Sequence, residues 1–294
     1  MKRKTIALSF TLLVVISAFG LAQITPKNKK STEPDIDKFV NSWKDAKTKT
    51  MFGSLEVRDI LTKAKGDPLR PRKKGAVLTH VNYVSYASLD INKSTEPSEL
   101  DDEQLVFYVN SGNGTITSFG ITKELTGGIG VIMPPEREFT ISNTGDEPLT
   151  MYIISEPIPN GFYPRPRMVI KDEYENRIST NLSRTNRTGD MLFGREDGLS
   201  TFVAINTIMF EPRSYVPPHL HESDVEEVWI ALEGDILIQI GIQRGELPEG
   251  SAYKAPADGV TPHTNLNGSE VSKKLLWMMS YPAEYPETPL NNIM

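Results

Sequence analysis

Two blocks of short apolar segments, each ending at turn residues, constrain the fold of this chain more than any other feature. The blocks cover about 76–156 and 199–281 and are rich in Val, Ile, Leu and Tyr, with Gly, Asn and Pro between the runs. Strands this short, at this spacing, are typical of antiparallel sandwiches and barrels. We therefore predict an all-β protein with two β-barrels, one at 76–156 and one, with its tail, at 199–294.

The residues before the first block carry a helical pattern. The spacing i, i+3, i+4, i+7 of one helical face occurs at Ile36, Phe39, Val40 and Trp43. A second short helix is predicted over 54–64, with Ser54 as its N-cap. We interpret 23–75 as a polar leader with a short helical extension that packs on the first barrel. The segment 157–198, which starts Pro-rich, is interpreted as a linker and connecting segment.

The first residues have the pattern of a secretory signal peptide. A basic n-region at 2–4 precedes an apolar run at 6–15, and small residues at Gly20 and Ala22 complete a cleavage motif. The alternative is a membrane anchor, but the apolar run is shorter than the ~20 residues that a spanning helix needs. We predict that 1–22 is removed and that the mature protein is periplasmic or secreted, with no integral membrane segment.

Composition narrows the classes of partner and of metal ligand. The chain has 294 residues and a formal net charge of -6, so it lacks the basic footprint of a nucleic-acid-binding protein. It contains no cysteine, which excludes disulfides and thiolate ligands. A metal site in this chain must therefore use imidazole, carboxylate or carbonyl groups. A small-molecule ligand is the expected partner, and a homo-oligomer is also compatible with the sequence.

Three of the four histidines lie in the second block. His219 and His221 are two residues apart, so a strand would direct both side chains to one face. Glu227 begins the next predicted strand, and His263 belongs to a later one. Three imidazoles and one carboxylate suit a divalent transition metal, and open coordination positions would distinguish a catalytic from a structural site. We predict one divalent ion per chain on these four residues, with Mn, Fe, Zn and Ni as candidates.

These residues resemble the two sequence motifs of the cupin superfamily. The first motif is Gly, five residues, His-x-His, three or four residues, Glu, six residues, Gly. Here the motif is represented by His219, His221, Glu227 and Gly234. The gap between His221 and Glu227 is one residue longer than usual, and Arg213 stands in the leading glycine position.

The second cupin motif is Gly, five residues, Pro-x-Gly, two residues, His, three residues, Asn. It is represented by Gly250, Pro256, Gly259, His263 and Asn267, with one extra residue on each side of the central glycine. Because both motifs occur in order, the resemblance implies a metal-binding cupin barrel over 199–281.

The longer gap in the first motif leaves Glu226 as an alternative metal ligand. We prefer Glu227, because its distance to Gly234 fixes the strand register. Glu226 is then a candidate general base beside the ligand strand, as is Tyr253 just before the second motif. Trp229 shares the strand face of Glu227, so it is a candidate pocket residue, although a packing role is equally compatible.

Asn267, which ends the second motif, is the other candidate pocket residue. The first block fits the same family register without the ligands. Phe139 takes the histidine position, Leu105 the glutamate position and Asn143 the asparagine position. We therefore predict a first cupin barrel without metal. The remaining histidine, His80, lies on a Val- and Tyr-rich segment and is interpreted as structural.

The resemblance implies two cupin-type (jelly-roll) barrels, but it leaves the function open. Cupins include dioxygenases, decarboxylases, isomerases, epimerases and lyases as well as storage and sensing proteins, so the fold does not give the function. The first hypothesis is an exported metal-dependent enzyme acting on a small oxygen-rich metabolite such as a sugar, sugar acid or organic acid. The second is a non-catalytic, metal-containing protein that binds a carbohydrate or another small ligand.

Overall fold

The computed structural model describes residues 34–175, 178–181, 186–189 and 192–281. The predicted signal peptide at 1–22 lies outside these residues, as do the start of the leader and the end of the tail. In the described ranges the chain forms mainly β-strands, which confirms the all-β class. No helix in these ranges has the length and apolar character needed to cross a membrane.

The helical elements and strands follow in chain order. The helices are α1 (Ile36–Phe39) and two 3-10 helices, Trp43–Asp45 and Arg195–Asp197. The strands up to the middle of the chain are β1 (Val40–Ser42), β2 (Thr48–Met51), β3 (Leu55–Lys63), β4 (Ala76–Leu78), β5 (Tyr83–Leu89), β6 (Glu103–Ser111), β7 (Gly114–Ser118), β8 (Ile121–Leu125), β9 (Ile129–Met133), β10 (Phe139–Asn143) and β11 (Leu149–Pro157). The remaining strands are β12 (Val169–Asp172), β13 (Ile178–Asn181), β14 (Asn186–Gly189), β15 (Phe193–Gly194), β16 (Phe202–Phe210), β17 (Glu226–Glu233), β18 (Ile236–Ile240), β19 (Gln243–Leu247), β20 (Ser251–Lys254), β21 (His263–Leu266) and β22 (Lys273–Ser280).

The strands form two barrels of the same design, each made of one large and one small sheet. In the first barrel the large sheet has the order β12-β9-β6-β11-β5-β3-β2, with β4 beside β3, and the small sheet is β10-β7-β8. In the second barrel the large sheet is β1-β20-β17-β22-β16-β14-β13, with β15 beside β16, and the small sheet is β19-β18-β21. The two-barrel architecture is therefore confirmed.

The central strands of the large sheet in the first barrel are buried on both faces. Along β6, Leu105 and Phe107 belong to the core inside the first barrel, because alternate residues of a strand point to one face. Val106 and Tyr108 point the other way and pack in a cluster that also contains Ile230 and other residues of the second barrel. The two large sheets therefore pack against each other, which explains why the middle of β6, from Leu105 to Val109, is apolar without interruption.

The predicted helical extension is mostly strand. Helix α1 is a single turn, and the chain continues directly into β1. The helix predicted over 54–64 is wrong, since this segment is β3. Leu55 and Val57 are buried in alternation with exposed Glu56, which is the period of a strand. Because β2, β3 and β12 all join the large sheet of the first barrel, this sheet extends beyond 76–156 on both sides.

Strand β1 belongs to the second barrel although it precedes the first. It pairs antiparallel with β20, with Val40 opposite Tyr253. The Ile36 N–H donates to Gln243 Oε1 at 3.1 Å, and the Gln243 side chain returns a bond to the Pro34 carbonyl at 2.6 Å. The start of the described chain thus forms an edge strand of the second barrel, the one that contains His219, His221, Glu227 and His263.

A buried carboxylate of the first barrel binds the backbone where β16, a strand of the second barrel, begins. Glu156, at the end of β11, is fully buried. It accepts from the N–H groups of Thr201 and Phe202, both at 2.8 Å, and from the Thr201 hydroxyl at 2.8 Å. Gln104 donates to its other oxygen at 2.7 Å. The bonds fix the chain where β16 begins.

Candidate metal centre

Four side chains of the second barrel converge on one point. The potential ligand atoms of His219, His221, Glu227 and His263 all lie within 4.8 Å of one another. Glu227 is the second residue of β17, and His263 is the first residue of β21. His219 and His221 lie in the loop before β17 rather than in a strand. This loop is held because the His219 and His263 backbones exchange hydrogen bonds of 3.1 and 2.8 Å.

The three imidazoles approach a single carboxylate oxygen. Glu227 Oε2 lies 2.6 Å from His263 Nε2, 3.1 Å from His221 Nε2 and 4.0 Å from His219 Nε2. The ring centroids are 4.3 to 5.1 Å apart. Three nitrogens and one oxygen facing a common centre are a donor set that suits a divalent transition metal. The residues therefore fit a metal ion.

Two further contacts orient this set. His219 Nδ1 lies 2.9 Å from the Pro217 carbonyl, so Nδ1 carries the proton and Nε2 keeps its lone pair for the centre. Trp277 Nε1 donates to Glu227 Oε1 at 2.6 Å, which fixes the carboxylate. Sequence reasoning missed Trp277. The feature that could have revealed it is the strand register, since Trp277 lies directly opposite Trp229 on β17.

The charges of the cluster match a cation site. Burial would raise the pKa of Glu227, but the hydrogen bonds from His221 and His263 outweigh it and hold that pKa well below its usual value. Burial lowers the pKa of His219, which favours the neutral, coordinating form. The side chains of His219 and His221 are 27% and 12% exposed, whereas that of Glu227 is 1% exposed. The cluster therefore opens to solvent on the side of His219 and His221.

Comparisons with known proteins identify the fold of the chain. No protein-family model matches the chain, and no curated protein matches it in sequence. Solved structures match most of its length. AerE from Microcystis aeruginosa is 15% identical, with 83% of this chain and 100% of that chain covered and a TM-score of 0.62.

Two further structures resemble the chain. The YlbA protein of E. coli is 14% identical, with 85% of this chain and 94% of that chain covered and a TM-score of 0.63. The formate complex of Lactobacillus farciminis oxalate decarboxylase is 10% identical, with 87% and 90% covered and a TM-score of 0.64. The chain has a cupin fold.

Two residues at glycine positions of the cupin motifs keep the backbone that glycine would supply. Arg213 stands in the leading position of the first motif and has φ 58°. In the first barrel, Glu136 stands in the position of the central glycine of the second motif, the one in Pro-x-Gly, and has φ 53°. Gly259, at the same motif position in the second barrel, has φ 72°. The left-handed turn is therefore kept even where the side chain makes it costly.

The first cupin barrel has a serine and apolar side chains where the second has its candidate ligands. Ser98 exchanges backbone hydrogen bonds of 3.0 and 2.9 Å with Phe139, as His219 does with His263. Leu105 and Phe139 are almost completely buried in the barrel core. The ring of Phe139 packs edge-on against Phe107 with centroids 5.8 Å apart. The described residues of this barrel place no ligand cluster at the corresponding position.

Glu226 does not face the candidate centre. It neighbours Glu227 on β17 and so points to the opposite face, where it is fully buried. Its carboxylate accepts from the Thr79 hydroxyl at 2.7 Å and from the N–H groups of His80 and Val81 at 3.1 Å. Lys254 Nζ lies 3.3 Å away. The prediction of a general base at Glu226 is corrected accordingly, because these groups enclose the carboxylate.

The groups around Glu226 determine the charge of its carboxylate, and they include the backbone of His80. Burial would raise the pKa of Glu226, but Lys254 and the N–H donors outweigh it, so the pKa is lowered. His80 Nδ1 lies 2.6 Å from Ser280 Oγ, in line with its interpretation as a structural histidine. Glu226 thus binds the segment before β5 in the way that Glu156 binds the segment before β16.

Tyr253 lies inside the cupin barrel but is not poised as a base. Its hydroxyl donates to Asn265 Oδ1 at 2.9 Å, and its ring centroid is 6.4 Å from that of His263. Burial, and then the negative charge of Glu227, raise the pKa of Tyr253 well above its usual value. The hydroxyl therefore stays protonated at neutral pH, so Tyr253 can donate a hydrogen bond or a proton but cannot accept one as a phenolate.

The two predicted pocket residues have different positions. Trp229 is fully buried inside the barrel, with its ring 6.0 Å from Phe210 and 6.3 Å from Trp277, centroid to centroid. Asn267 donates from Nδ2 to the Phe210 and Glu211 carbonyls at 3.0 Å and to the Val271 carbonyl at 2.8 Å. Asn267 is therefore a turn anchor outside the pocket.

Proposed function

We propose that this chain is a metal-dependent cupin enzyme acting on a small oxygen-rich metabolite such as an organic acid, a sugar acid or a sugar. The observation that carries the proposal is the convergence of three imidazole nitrogens on one oriented carboxylate, with two of the histidines partly exposed. A site with solvent access suits an ion that also binds substrate, whereas a structural ion is normally enclosed by its ligands. The proposal places one ion per chain, in the second barrel.

The bound ion would supply Lewis acidity towards a carboxylate, carbonyl or diol oxygen. The chain's own residues would prepare that step. Trp277 fixes the carboxylate of Glu227, and the Pro217 carbonyl fixes the tautomer of His219. The hydroxyl of Tyr253, which lies inside the same barrel, is a candidate proton donor. Manganese is the first ion to test, because Bacillus subtilis oxalate decarboxylase, a structural neighbour with a TM-score of 0.63, has Mn(II) centres.

A second candidate function is supported by the same interior. The buried carboxylates of the described residues are Glu156, Glu226 and Glu227, and the first two face the barrel interface. Inside the second barrel, neutral hydrogen-bond donors and apolar surface are provided by Trp229, Tyr253 and Asn265. Such a lining would also serve a non-catalytic protein that holds a small ligand through the metal. Turnover is therefore the property that separates the two candidates.

The first experiment is elemental analysis of protein purified without chelator or affinity-metal contact. We expect one equivalent of a divalent metal in the wild type and in the control variant His80→Ala. His263→Ala should lose the metal while circular dichroism shows that the fold is kept. Unchanged metal in His263→Ala would refute the site, and two equivalents in the wild type would refute the assignment of the first barrel as metal-free.

The second experiment separates enzyme from binder. The metal-loaded protein is incubated with a panel of organic acids, sugar acids and sugars, and product formation is followed together with binding. Turnover that disappears in His263→Ala supports the enzyme. Binding without turnover across the panel supports the non-catalytic protein. No metal, even after reconstitution with each candidate ion, would overturn both metal-dependent functions.

The proposal includes export from the cytoplasm, which rests on the basic, apolar and small-residue pattern of 1–22. Substrates would then be met outside the cytoplasm. N-terminal sequencing of the protein recovered from its natural source should start at Gln23. A chain that retains Met1 or Lys2 would contradict cleavage.

A further inference from the structure

Three side chains form a layer inside the second barrel, one strand repeat away from the metal ligands. Trp229 follows Glu227 by two residues on β17, and Asn265 follows His263 by two residues on β21, so each shares the inward face of its ligand. Tyr253 lies opposite Trp229 in the pairing of β17 with β20. Two residues along a strand span about 7 Å. We call Trp229, Tyr253 and Asn265 the inner layer.

The inner layer contains more hydrogen-bond donors than acceptors. All three side chains are fully buried. Tyr253 donates to Asn265 Oδ1, which occupies one of the two lone pairs of the amide oxygen. Asn265 Nδ2 and Trp229 Nε1 have no partner among the described residues. Buried donors without acceptors are rare in folded proteins because the hydrogen bonds they made to water in the unfolded chain are not replaced.

The excess of donors does not depend on how the Asn265 amide is oriented. If the amide nitrogen and oxygen were exchanged, Nδ2 would donate to the Tyr253 oxygen, and the Tyr253 proton would then lack an acceptor. Trp229 Nε1 is a donor in either case. The inner layer therefore favours a ligand that brings an acceptor oxygen to it.

The charge of the inner layer decides which kind of oxygen fits. Its three side chains are an indole, a phenol and an amide, which carry no charge at neutral pH in their ordinary forms. The buried lysines of the described residues, Lys254 and Lys274, bind Glu226 and Glu173 at the barrel interface. A second carboxylate placed here would be desolvated without a cation, which is costly. A carbonyl or hydroxyl oxygen carries no such penalty.

We propose that the metal centre takes a monocarboxylic acid with a keto or hydroxyl oxygen further along its chain, and that Trp229 and Asn265 select this oxygen. The carboxylate binds at the ion, and the neutral oxygen accepts from the inner layer. The inference rests on the proposed metal-dependent function and names its class of ligand: an oxo acid or hydroxy acid, in preference to a dicarboxylic acid of the same length.

Three matched probes test this selection by isothermal titration. In 4-oxopentanoate two methylene groups separate the carboxylate from the ketone. Succinate keeps that separation but has a second carboxylate, and pentanoate has a methylene in place of the carbonyl. For the metal-loaded protein we expect 4-oxopentanoate to bind about tenfold more tightly than pentanoate, the effect of one hydrogen bond, and more tightly than succinate. Tighter binding of succinate, or equal binding of 4-oxopentanoate and pentanoate, would overturn the proposal.

Two tryptophan variants assign the selection to the inner layer. Trp229→Phe keeps an aromatic ring but removes the Nε1 donor. It should bring the affinity for 4-oxopentanoate close to that for pentanoate while pentanoate affinity and metal content stay the same. The control Trp43→Phe, on the ring that stacks against Tyr86, should keep the wild-type preference. A preference that survives in Trp229→Phe would refute the role of Trp229.

Metal content is measured first, so that the two proposals can fail separately. If the protein binds no ion, the proposed function fails. The inner layer is then tested in the same protein by titrating the three probes at millimolar concentration and following tryptophan fluorescence. A preference for 4-oxopentanoate that is lost in Trp229→Phe supports the inner layer by itself. Binding of none of the three probes, with or without metal, overturns the inference.

Discussion

The interiors of the two barrels differ at four equivalent positions although their strands follow the same plan. In the second barrel the positions hold His219, His221, Glu227 and His263. In the first barrel they hold Ser98, Leu100, Leu105 and Phe139, because Ser98 pairs with Phe139 as His219 does with His263. The second-barrel set gathers nitrogen and oxygen ligands around one point, whereas the first-barrel set has one serine and three apolar side chains, of which Leu105 and Phe139 are buried in the core. The backbone thus sets the positions, and the side chains decide between binding and packing.

The loop lengths add to this difference. Four residues separate Leu100 from Leu105 in the first barrel, the usual family spacing, and five separate His221 from Glu227. The extra residue in the second barrel is accommodated in the loop, and Glu226 begins β17 on the face opposite Glu227. The added residue therefore does not displace the ligand, and Glu226 faces the interface between the barrels as its equivalent Gln104 does in the first barrel.

The largest contrast between the two barrels is expected from alanine substitutions at His263 and Phe139, which occupy the last of the four equivalent positions. His263→Ala should remove the metal completely with little loss of unfolding free energy in the metal-free state. Phe139→Ala should cost about 3–5 kcal/mol, since it empties a packed core site, and leave the metal content unchanged. Denaturant unfolding and elemental analysis measure both. Phe139→Leu is the milder control, and metal loss in that variant would show that the interiors are coupled.

A carboxylate introduced into the first barrel should not recreate a site. Leu105→Glu puts the side chain of Glu227 into the equivalent position without histidines around it. We expect a loss of about 3 kcal/mol or more in unfolding free energy, because the group is buried without a partner. Leu105→Met should cost less than about 1.5 kcal/mol. A second equivalent of metal in Leu105→Glu would show that the first barrel is closer to a binding site than its side chains indicate.

The two buried interface carboxylates should have similar effects on stability. Glu226→Gln and Glu156→Gln each replace an acceptor oxygen by a donor opposite backbone N–H groups. Each should cost about 1.5–3 kcal/mol, the range for hydrogen bonds to charged groups, as measured by urea unfolding. The exposed Glu99→Gln is the control for loss of charge. A stability loss in only one of the two variants would show that the reciprocal contacts are unequal.

The smallest contrast concerns the asparagines that end the second motif in each barrel. Asn143 donates to the Leu89 and Glu147 carbonyls at 2.9 and 2.8 Å, and Asn267 makes the corresponding turn contacts. Asn143→Ala and Asn267→Ala should each cost about 1–2 kcal/mol and leave the metal content and the probe affinities unchanged. A selective loss of ligand binding in Asn267→Ala would return this residue to the pocket.

The candidate ligands could be predicted from the sequence because motif spacing reports strand register. The choice of Glu227 over Glu226 followed from the distance to Gly234, and the structure places Glu227 in the cluster. The partners of these residues could not be predicted in the same way. Trp277 comes from another strand, and only the pairing of β17 with β22 brings it to the carboxylate. The Pro217 carbonyl is two residues from His219, but its contact depends on the conformation of the loop.

The errors in the helical extension have physical causes. In β3 the register against β5 shifts between Asp59 and Leu61, so buried Ile60 and Leu61 are adjacent and the alternation of a strand is broken. The spacing then imitates a helix. In β1, Val40 extends because β20 offers a partner, and this pairing is far away in the sequence. Local patterns carry no information about either event.

Strand β1 has a consequence for how the protein is made. The contact between Ile36 and Gln243 spans 207 residues, so β1 cannot find its partner until the ribosome has also synthesised β20. Closure of such a distant contact is slow compared with local pairing. A nascent chain with an unpaired strand is open to wrong associations. We therefore expect a fragment that begins at 199 to expose the edge of β20 and to aggregate.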